Sequence, residues 1–118
     1  MTALHLLEPI PHSINLVEQF RGQLPIAVAS GGIRPVVNQQ LERIGLSEAF
    51  DAIVTAEDTE LHKPEPDVFL KAAELLGVEP TLCCVYEDSD LGIQAAKTAG
   101  MGWVDIRDYH TPKLWESP

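Results

Sequence analysis

The sequence predicts an α/β fold in which a parallel sheet carries helices on both faces. Short apolar runs, typical of strands buried on both sides, alternate with segments whose apolar residues recur at helical spacing. The connections between them are short, and most of the helical segments end at a glycine. With 118 residues, this alternation indicates one Rossmann-like domain spanning the whole chain, 1–118.

The predicted elements follow in the order αβαβαβαβ. Apolar stripes predict four helices, through Ser13–Arg21, Val37–Ile44, Phe69–Leu76 and Ala95–Ala99. Apolar runs predict four strands, Pro25–Ala29, Phe50–Val54, Leu82–Tyr86 and Trp103–Ile106. Residues 1–12 carry little signal, and the tail from 108 to 118 shows no periodicity, which leaves disorder of the tail as one alternative.

Charge and composition narrow the classes of partner. The net charge is −10, and the sequence pI is near 4.6, which argues against nucleic acid as a partner. No apolar run approaches the length of a membrane span, so we expect no membrane partner. Cys83 and Cys84 are adjacent, and their side chains would point to opposite faces of a strand. We therefore expect reduced cysteines and a cytoplasmic protein.

A cluster of acids follows the third predicted strand. Glu87, Asp88 and Asp90 come directly after this apolar run, where ligands bind in open α/β sheets. Three carboxylates in so small a space favour a hard cation such as Mg²⁺. The alternative is structural: Ser89 or Asp90 caps the next helix, and the acids favour its N-terminal dipole.

Two other segments suggest a site for a phosphate group. Ser30-Gly31-Gly32 follows the first predicted strand and offers a hydroxyl and backbone N–H groups before a helix, although a plain turn explains it equally well. Lys63 lies in a loop stiffened by Pro64 and could act as a point charge for phosphate, although most lysines are simply exposed. Together with the acids, these segments are typical of phosphoryl transfer.

Three motifs resemble the haloacid dehalogenase superfamily. They are Val28-Ala29-Ser30-Gly31-Gly32, the segment from His62 to Phe69 (HKPEPDVF) and the segment from Tyr86 to Ala96 (YEDSDLGIQAA). More narrowly, the chain is similar to the β-phosphoglucomutase-like branch, which includes fructose-1-phosphate phosphatases. The resemblance runs from about Glu8 to Ile106, in the order and spacing of the family. It implies a hydrolase or mutase that acts on a small phosphorylated sugar.

The resemblance also implies roles for individual residues. Ser30 would bind the transferring phosphoryl group, assisted by the Gly31 N–H in a loop that Gly32 completes. Lys63 would stabilise charge on that group and on the nucleophile. Asp88 would bind Mg²⁺ and Glu87 would support the metal and the lysine. Ser89 and Asp90 could bond the waters of the metal.

The nucleophile of the family has no counterpart here. Members attack phosphate with an aspartate of an Asp-x-Asp-Gly-Thr segment after their first, central strand, and nothing before Ser30 matches it. Asp88-Ser89-Asp90 has the Asp-x-Asp pattern but matches the last motif of the family. We therefore expect the C-terminal part of a sugar phosphatase, inactive alone and without the first strand and the helical cap. Its open sheet would invite an N-terminal strand or self-association.

Two alternatives compete with this interpretation. A non-catalytic remnant could bind a partner through the gap in the sheet. A flavodoxin-like signalling domain would explain the fold but not the lysine-and-proline motif.

Overall fold

The fold is a five-stranded, fully parallel sheet. The computed structural model describes residues 3–6 and 19–108. Its strands are β1 (Ala3–Leu6), β2 (Ile26–Ala29), β3 (Ala52–Val54), β4 (Cys83–Glu87) and β5 (Gly102–Asp105). They lie in the order β3-β2-β1-β4-β5, and every neighbouring pair is parallel. The predicted α/β class is confirmed, and the four strands predicted from apolar runs are all present.

Within residues 19–108, the structure has three complete α-helices, which lie between the later strands. They are α1 (Arg34–Arg43), α2 (Asp67–Leu76) and α3 (Asp90–Thr98). Helix α2 ends at Gly77, which adopts a left-handed φ of 70° and donates its N–H to the Ala73 carbonyl. The helix predicted through Ser13–Arg21 lies outside the described residues except for its end, where residues 19 and 20 are helical. Residues 109–118 of the predicted tail also lie outside them.

The core lies on both faces of the sheet because side chains alternate along each strand. Ala27 and Ala29 face α2 and α3, and Ile26 and Val28 face α1. On the first face the largest buried side chain is Phe69. Helices on both faces explain why the strands read as continuous apolar runs.

The centre of the sheet differs from the expectation. We expected the strands β2 and β4 either to lose their shared neighbour or to pair directly with each other, but β1 pairs with both. His5 is in register with Ala27 of β2 and with Val85 of β4. The prediction that the central strand is missing is therefore wrong for this chain. Unpaired backbone groups are costly to bury, and residues 3–6 satisfy those of both neighbours, so no gap between β2 and β4 is left for an outside strand.

Two smaller expectations concern the cysteines and membrane spans. Cys83 is buried and Cys84 half-buried on opposite sides of β4, and neither forms a disulfide. Within residues 3–6 and 19–108, no helix has the length and apolar character needed to cross a bilayer.

Candidate functional site

The polar loops that follow β2 and β4 begin at the same edge of the sheet, because the ends of the two strands are aligned. Leu6 of β1 is in register with Val28 on one side and Tyr86 on the other. Ser30 and Asp88 each follow two residues later and emerge at one edge. Two strand spacings separate their backbones by roughly 10 Å. Their side chains therefore flank the end of the central strand.

Lys63 reaches this edge from the loop before α2 and joins the two sides. Its Nζ lies 3.1 Å from Glu87 Oε2 and 3.4 Å from the carbonyl oxygen of Ala29, the residue before Ser30. The ammonium also lies 4.9 Å from the centre of the Phe69 ring, a distance that permits a cation–π contact. The lysine side chain is only 12% exposed. The structure thus brings the three predicted loops together around one largely buried cation.

Glu87 is the buried acidic residue of the site. It is the last residue of β4 rather than a loop residue, and its side chain is fully buried. Its Oε1 accepts hydrogen bonds from the Asp88 N–H at 3.0 Å and from the Ser89 hydroxyl at 3.2 Å. Burial raises the pKa of Glu87, and the charge of Lys63 opposes that rise; the adjacent Asp88 carboxylate raises it further. The positive charge of Lys63 thus favours the ionised form of this carboxyl group, against the effect of burial.

Helix α3 approaches Glu87 so closely that only glycine fits at position 92. A Cβ placed on Gly92 would lie 2.1 Å from Glu87 Cδ. The Ser89 hydroxyl accepts the N–H of Gly92 at 3.0 Å, so Ser89 caps the helix as the structural alternative predicted. The same hydroxyl donates to Glu87, and Ser89 therefore serves both the helix and the site. We did not predict the role of Gly92, although a glycine inside a helical pattern is a signal for such a close approach.

Asp90 lies apart from the other acids. Its carboxylate accepts a hydrogen bond from the Arg107 guanidinium at 2.8 Å, and its side chain is 91% exposed. Arg107 also forms a two-point ion pair with Asp105 at the end of β5. Asp90 is thus held by an arginine at the outer side of the sheet.

The loop after β2 presents the hydroxyl of Ser30. Ser30 Oγ accepts the N–H of Gly32 at 3.0 Å, which leaves the hydroxyl hydrogen directed elsewhere. A Cβ on Gly31 would meet nothing within 4 Å, so the space beside its backbone is open. The N–H of Arg34, at the start of α1, already binds the carboxylate of Glu57. The hydroxyl of Ser30 and the N–H of Gly31 are therefore the groups suited to an anion, rather than the start of the helix.

The acidic residues at the end of β4 provide one carboxylate for direct coordination of a metal ion. Within the described ranges, no three His, Cys, Asp or Glu side chains converge on a point that could hold a metal ion. Asp88 is half-buried at the end of β4, whereas the carboxylate of Glu87 forms an ion pair with Lys63. Mg²⁺ commonly takes one or two carboxylates and completes its shell with waters and phosphate oxygens. The residues present fit a magnesium ion held by Asp88 together with substrate.

Comparisons with known proteins show the family to which this chain belongs. The family model described as haloacid dehalogenase-like hydrolase matches residues 1–106. Fructose-1-phosphate phosphatase YqaB of Escherichia coli is 44% identical over 104 residues, which are 88% of this chain and 55% of that protein. Hexitol phosphatase A of the same organism is 34% identical over 109 residues, 91% of this chain and 50% of that protein. This chain therefore spans about half the length of these relatives.

Solved structures show the same fold. CbbY from Rhodobacter sphaeroides, solved in complex with phosphate, matches with a TM-score of 0.74 and 31% identity over 79% of this chain and 43% of that one. A β-phosphoglucomutase from Clostridium difficile matches with a TM-score of 0.73 and 25% identity over 91% of this chain and 55% of that one. The name of the second neighbour is that of the branch that the three motifs predicted. The chain belongs to the haloacid dehalogenase-like hydrolase family.

Proposed function

We propose that this chain forms the phosphate-binding and metal-binding part of a hydrolase for phosphorylated sugars. The observation that carries the proposal is the position of Lys63, whose ammonium lies 3.1 Å from Glu87 and 3.4 Å from the carbonyl preceding Ser30. The names of the phosphatase relatives support the substrate class.

The phosphoryl group would lie between Ser30 and Lys63. The Ser30 hydroxyl and the Gly31 N–H would donate to its oxygens, and Gly32 would keep the hydroxyl oriented through the bond to Ser30 Oγ. Lys63 would place a positive charge beside the transferring group as negative charge develops there. Glu87 would fix the direction of that ammonium from its buried position at the end of β4. Lys63 and Ser30 are thus the proposed catalytic residues.

The proposed site also includes a magnesium ion. Asp88 would be its direct carboxylate ligand, and Glu87 would support it indirectly through Lys63. The ion would supply electrostatic stabilisation of the transferring group and help to orient it. A protein with a net charge of −10 repels phosphate esters at long range, which makes a local cation necessary.

The attacking carboxylate is not among the groups assembled here. The central strand, Ala3–Leu6, contains no acid, and no Asp-x-Asp-Gly-Thr segment precedes Ser30. We therefore propose that the 118 residues bind phosphate without turning over phosphate esters. A strand that carries this segment would have to take the central position that β1 occupies. The two free cysteines support our further proposal of a cytoplasmic location.

Calorimetric titration with inorganic phosphate in the presence of Mg²⁺ tests the binding proposal. Lys63→Ala should weaken phosphate binding about tenfold or more, since a charge-assisted hydrogen bond contributes about 1.5 kcal/mol or more. Lys71→Ala is the matched control, because Lys71 lies on α2 and pairs only with the exposed Glu74 among the described residues. Equal effects of the two substitutions would contradict the proposal.

An activity assay tests the proposed inactivity. The purified chain is incubated with Mg²⁺ and fructose 1-phosphate or a hexitol phosphate, and released phosphate is measured. We expect no turnover above background. Turnover that disappears in Asp88→Ala would show that these residues suffice for catalysis and would overturn this part of the proposal.

A further inference from the structure

A second polar cluster lies beside the site, between the loops after β2 and β3. We call it the clasp; its residues are Arg34, Thr55, Glu57 and Asp58. Both oxygens of the Glu57 carboxylate accept the Arg34 N–H, at 3.0 and 2.9 Å. The Arg34 guanidinium binds Asp58 and donates to the Ile53 carbonyl at 3.2 Å. Thr55 is fully buried and donates its hydroxyl to Glu57 at 2.8 Å.

The clasp fixes the segment that follows Ser30. Helix α1 starts at Arg34, and its N-cap residue, Ile33, offers no side-chain acceptor. Glu57 supplies that acceptor from 23 residues away. The Ala56 N–H donates to the Gly32 carbonyl at 2.9 Å, and the Ser30 N–H donates to the Val54 carbonyl at 2.9 Å. The loop of Ser30 is thus tied to the β3 loop at both of its ends.

The charge of Glu57 also affects which hydrogen-bond donors of this loop are available to an anionic ligand. The Arg34 N–H and the Thr55 hydroxyl lower the pKa of Glu57, so it is an anion at neutral pH. An anion at the start of α1 offsets the positive end of the helix dipole. A phosphate group is therefore directed to the Ser30 hydroxyl and the Gly31 N–H rather than to the helix end.

We propose that Glu57 is a positioning residue for phosphate binding: by holding the start of α1 it sets the geometry of the Ser30–Gly32 loop. This inference rests on the proposed function for its ligand. Glu57 itself touches neither the ligand nor the reacting atoms.

Phosphate affinity, measured by calorimetry with Mg²⁺ present, gives the first test. Glu57→Ala should weaken inorganic phosphate binding about fivefold or more, and Glu57→Gln should recover part of the affinity because its amide oxygen can still accept the Arg34 N–H. Glu60→Ala is the matched control, since Glu60 is an exposed acid of the same loop. It removes the same charge and should leave the affinity unchanged. An affinity in Glu57→Ala equal to or higher than that in Glu60→Ala would overturn the proposal.

Amide hydrogen exchange without phosphate gives a second test that does not depend on the ligand. Glu57→Ala should speed exchange at Gly32 and Arg34 at least tenfold relative to Glu60→Ala, while amides in β4 keep their wild-type rates. Unchanged exchange at both residues would overturn the inference even if phosphate binds. If Lys63→Ala leaves phosphate affinity unchanged but Glu57→Ala still loosens the loop, the proposed function fails while the positioning by Glu57 stands.

Discussion

Replacing Lys63 by methionine removes the charge that accompanies the buried Glu87. The carboxylate side chain is 0% exposed and the lysine side chain 12% exposed, so water can do little to replace the lost partner. Breaking a buried ion pair from one side costs about 3–5 kcal/mol. Because the Lys63 side chain is partly exposed, we expect Lys63→Met to lower the free energy of unfolding by an amount at the lower end of this range, about 3 kcal/mol. That is a large fraction of the roughly 5–15 kcal/mol that stabilises a typical domain.

The destabilisation caused by Lys63→Met should depend on pH, because Glu87 can take up a proton and then no longer carries a buried charge without a partner. Burial raises its pKa above the ordinary carboxyl value, and the cation that opposes this rise is absent in the variant. A group with a raised pKa in the folded state stabilises the fold when protonated and loses that stabilisation as pH rises. The deficit of Lys63→Met should therefore be largest near pH 7.5 and shrink toward pH 5.

Urea denaturation followed by circular dichroism measures both effects. Lys63→Met, Glu87→Gln and the double variant complete a cycle in which we expect a coupling energy of about 2 kcal/mol or more. Lys71→Met is the control, because its partner Glu74 is 72% exposed and the pair should contribute less than about 1 kcal/mol. Additive losses in the double variant, or a pH-independent loss in Lys63→Met, would refute the reasoning.

Four further predictions concern residues around the buried carboxylate. Gly92→Ala should lower the free energy of unfolding by about 1–3 kcal/mol through overpacking against Glu87, whereas Gly102→Ala, whose Cβ would meet an ordinary contact at 3.6 Å, should change it by less than about 1 kcal/mol in urea denaturation. Ser89→Ala should lower it by about 1 kcal/mol by removing the N-cap of α3; an unchanged urea midpoint would contradict this. As pH rises above about 4.5, the unfolding free energy of the wild type should fall relative to Glu87→Gln, by at most about 1.4 kcal/mol per pH unit; parallel pH profiles would contradict the raised pKa of Glu87. Asp88→Asn should weaken Mg²⁺ binding in a calorimetric titration at least about tenfold, and an unchanged affinity would remove Asp88 as the ligand.

Most of the sheet could be predicted because its strands are unusually regular in composition. The runs at 25–29, 50–54 and 82–86 are apolar at every or nearly every position, which is the pattern of a strand covered on both sides. The strand boundaries shift by a few residues at most, as at β4, which extends to Glu87. Local propensity does not predict an acidic residue such as Glu87 inside a buried strand. The partner that permits it there is Lys63, which lies 24 residues away in the sequence.

The central strand could not be predicted from local pattern. Ala-Leu-His-Leu is only four residues long and has no run of β-branched residues. Its strand state depends on pairing with two strands that begin 23 and 80 residues further along the chain. Such long-range pairing leaves no local signal in the sequence.

The motifs of the candidate site could be recognised in the sequence, but the contacts between their residues could not. Ser30, Lys63 and Asp88 stood out because each follows a strand or precedes a helix in a pattern that suits phosphate chemistry. The function of Glu57 could not be seen, because its contact with Arg34 spans 23 residues and the helix start shows no capping residue of its own. The role of Gly92 required the distance to Glu87.

Backbone-amide NMR of the chain, titrated with inorganic phosphate in the presence of Mg²⁺, tests the central claim most directly. If the three loops form one phosphate site, the shifts should concentrate at Gly31, Lys63 and Asp88 and saturate together with a single affinity. Shifts scattered over the helices, or none at these three residues when phosphate is in excess, would contradict the account.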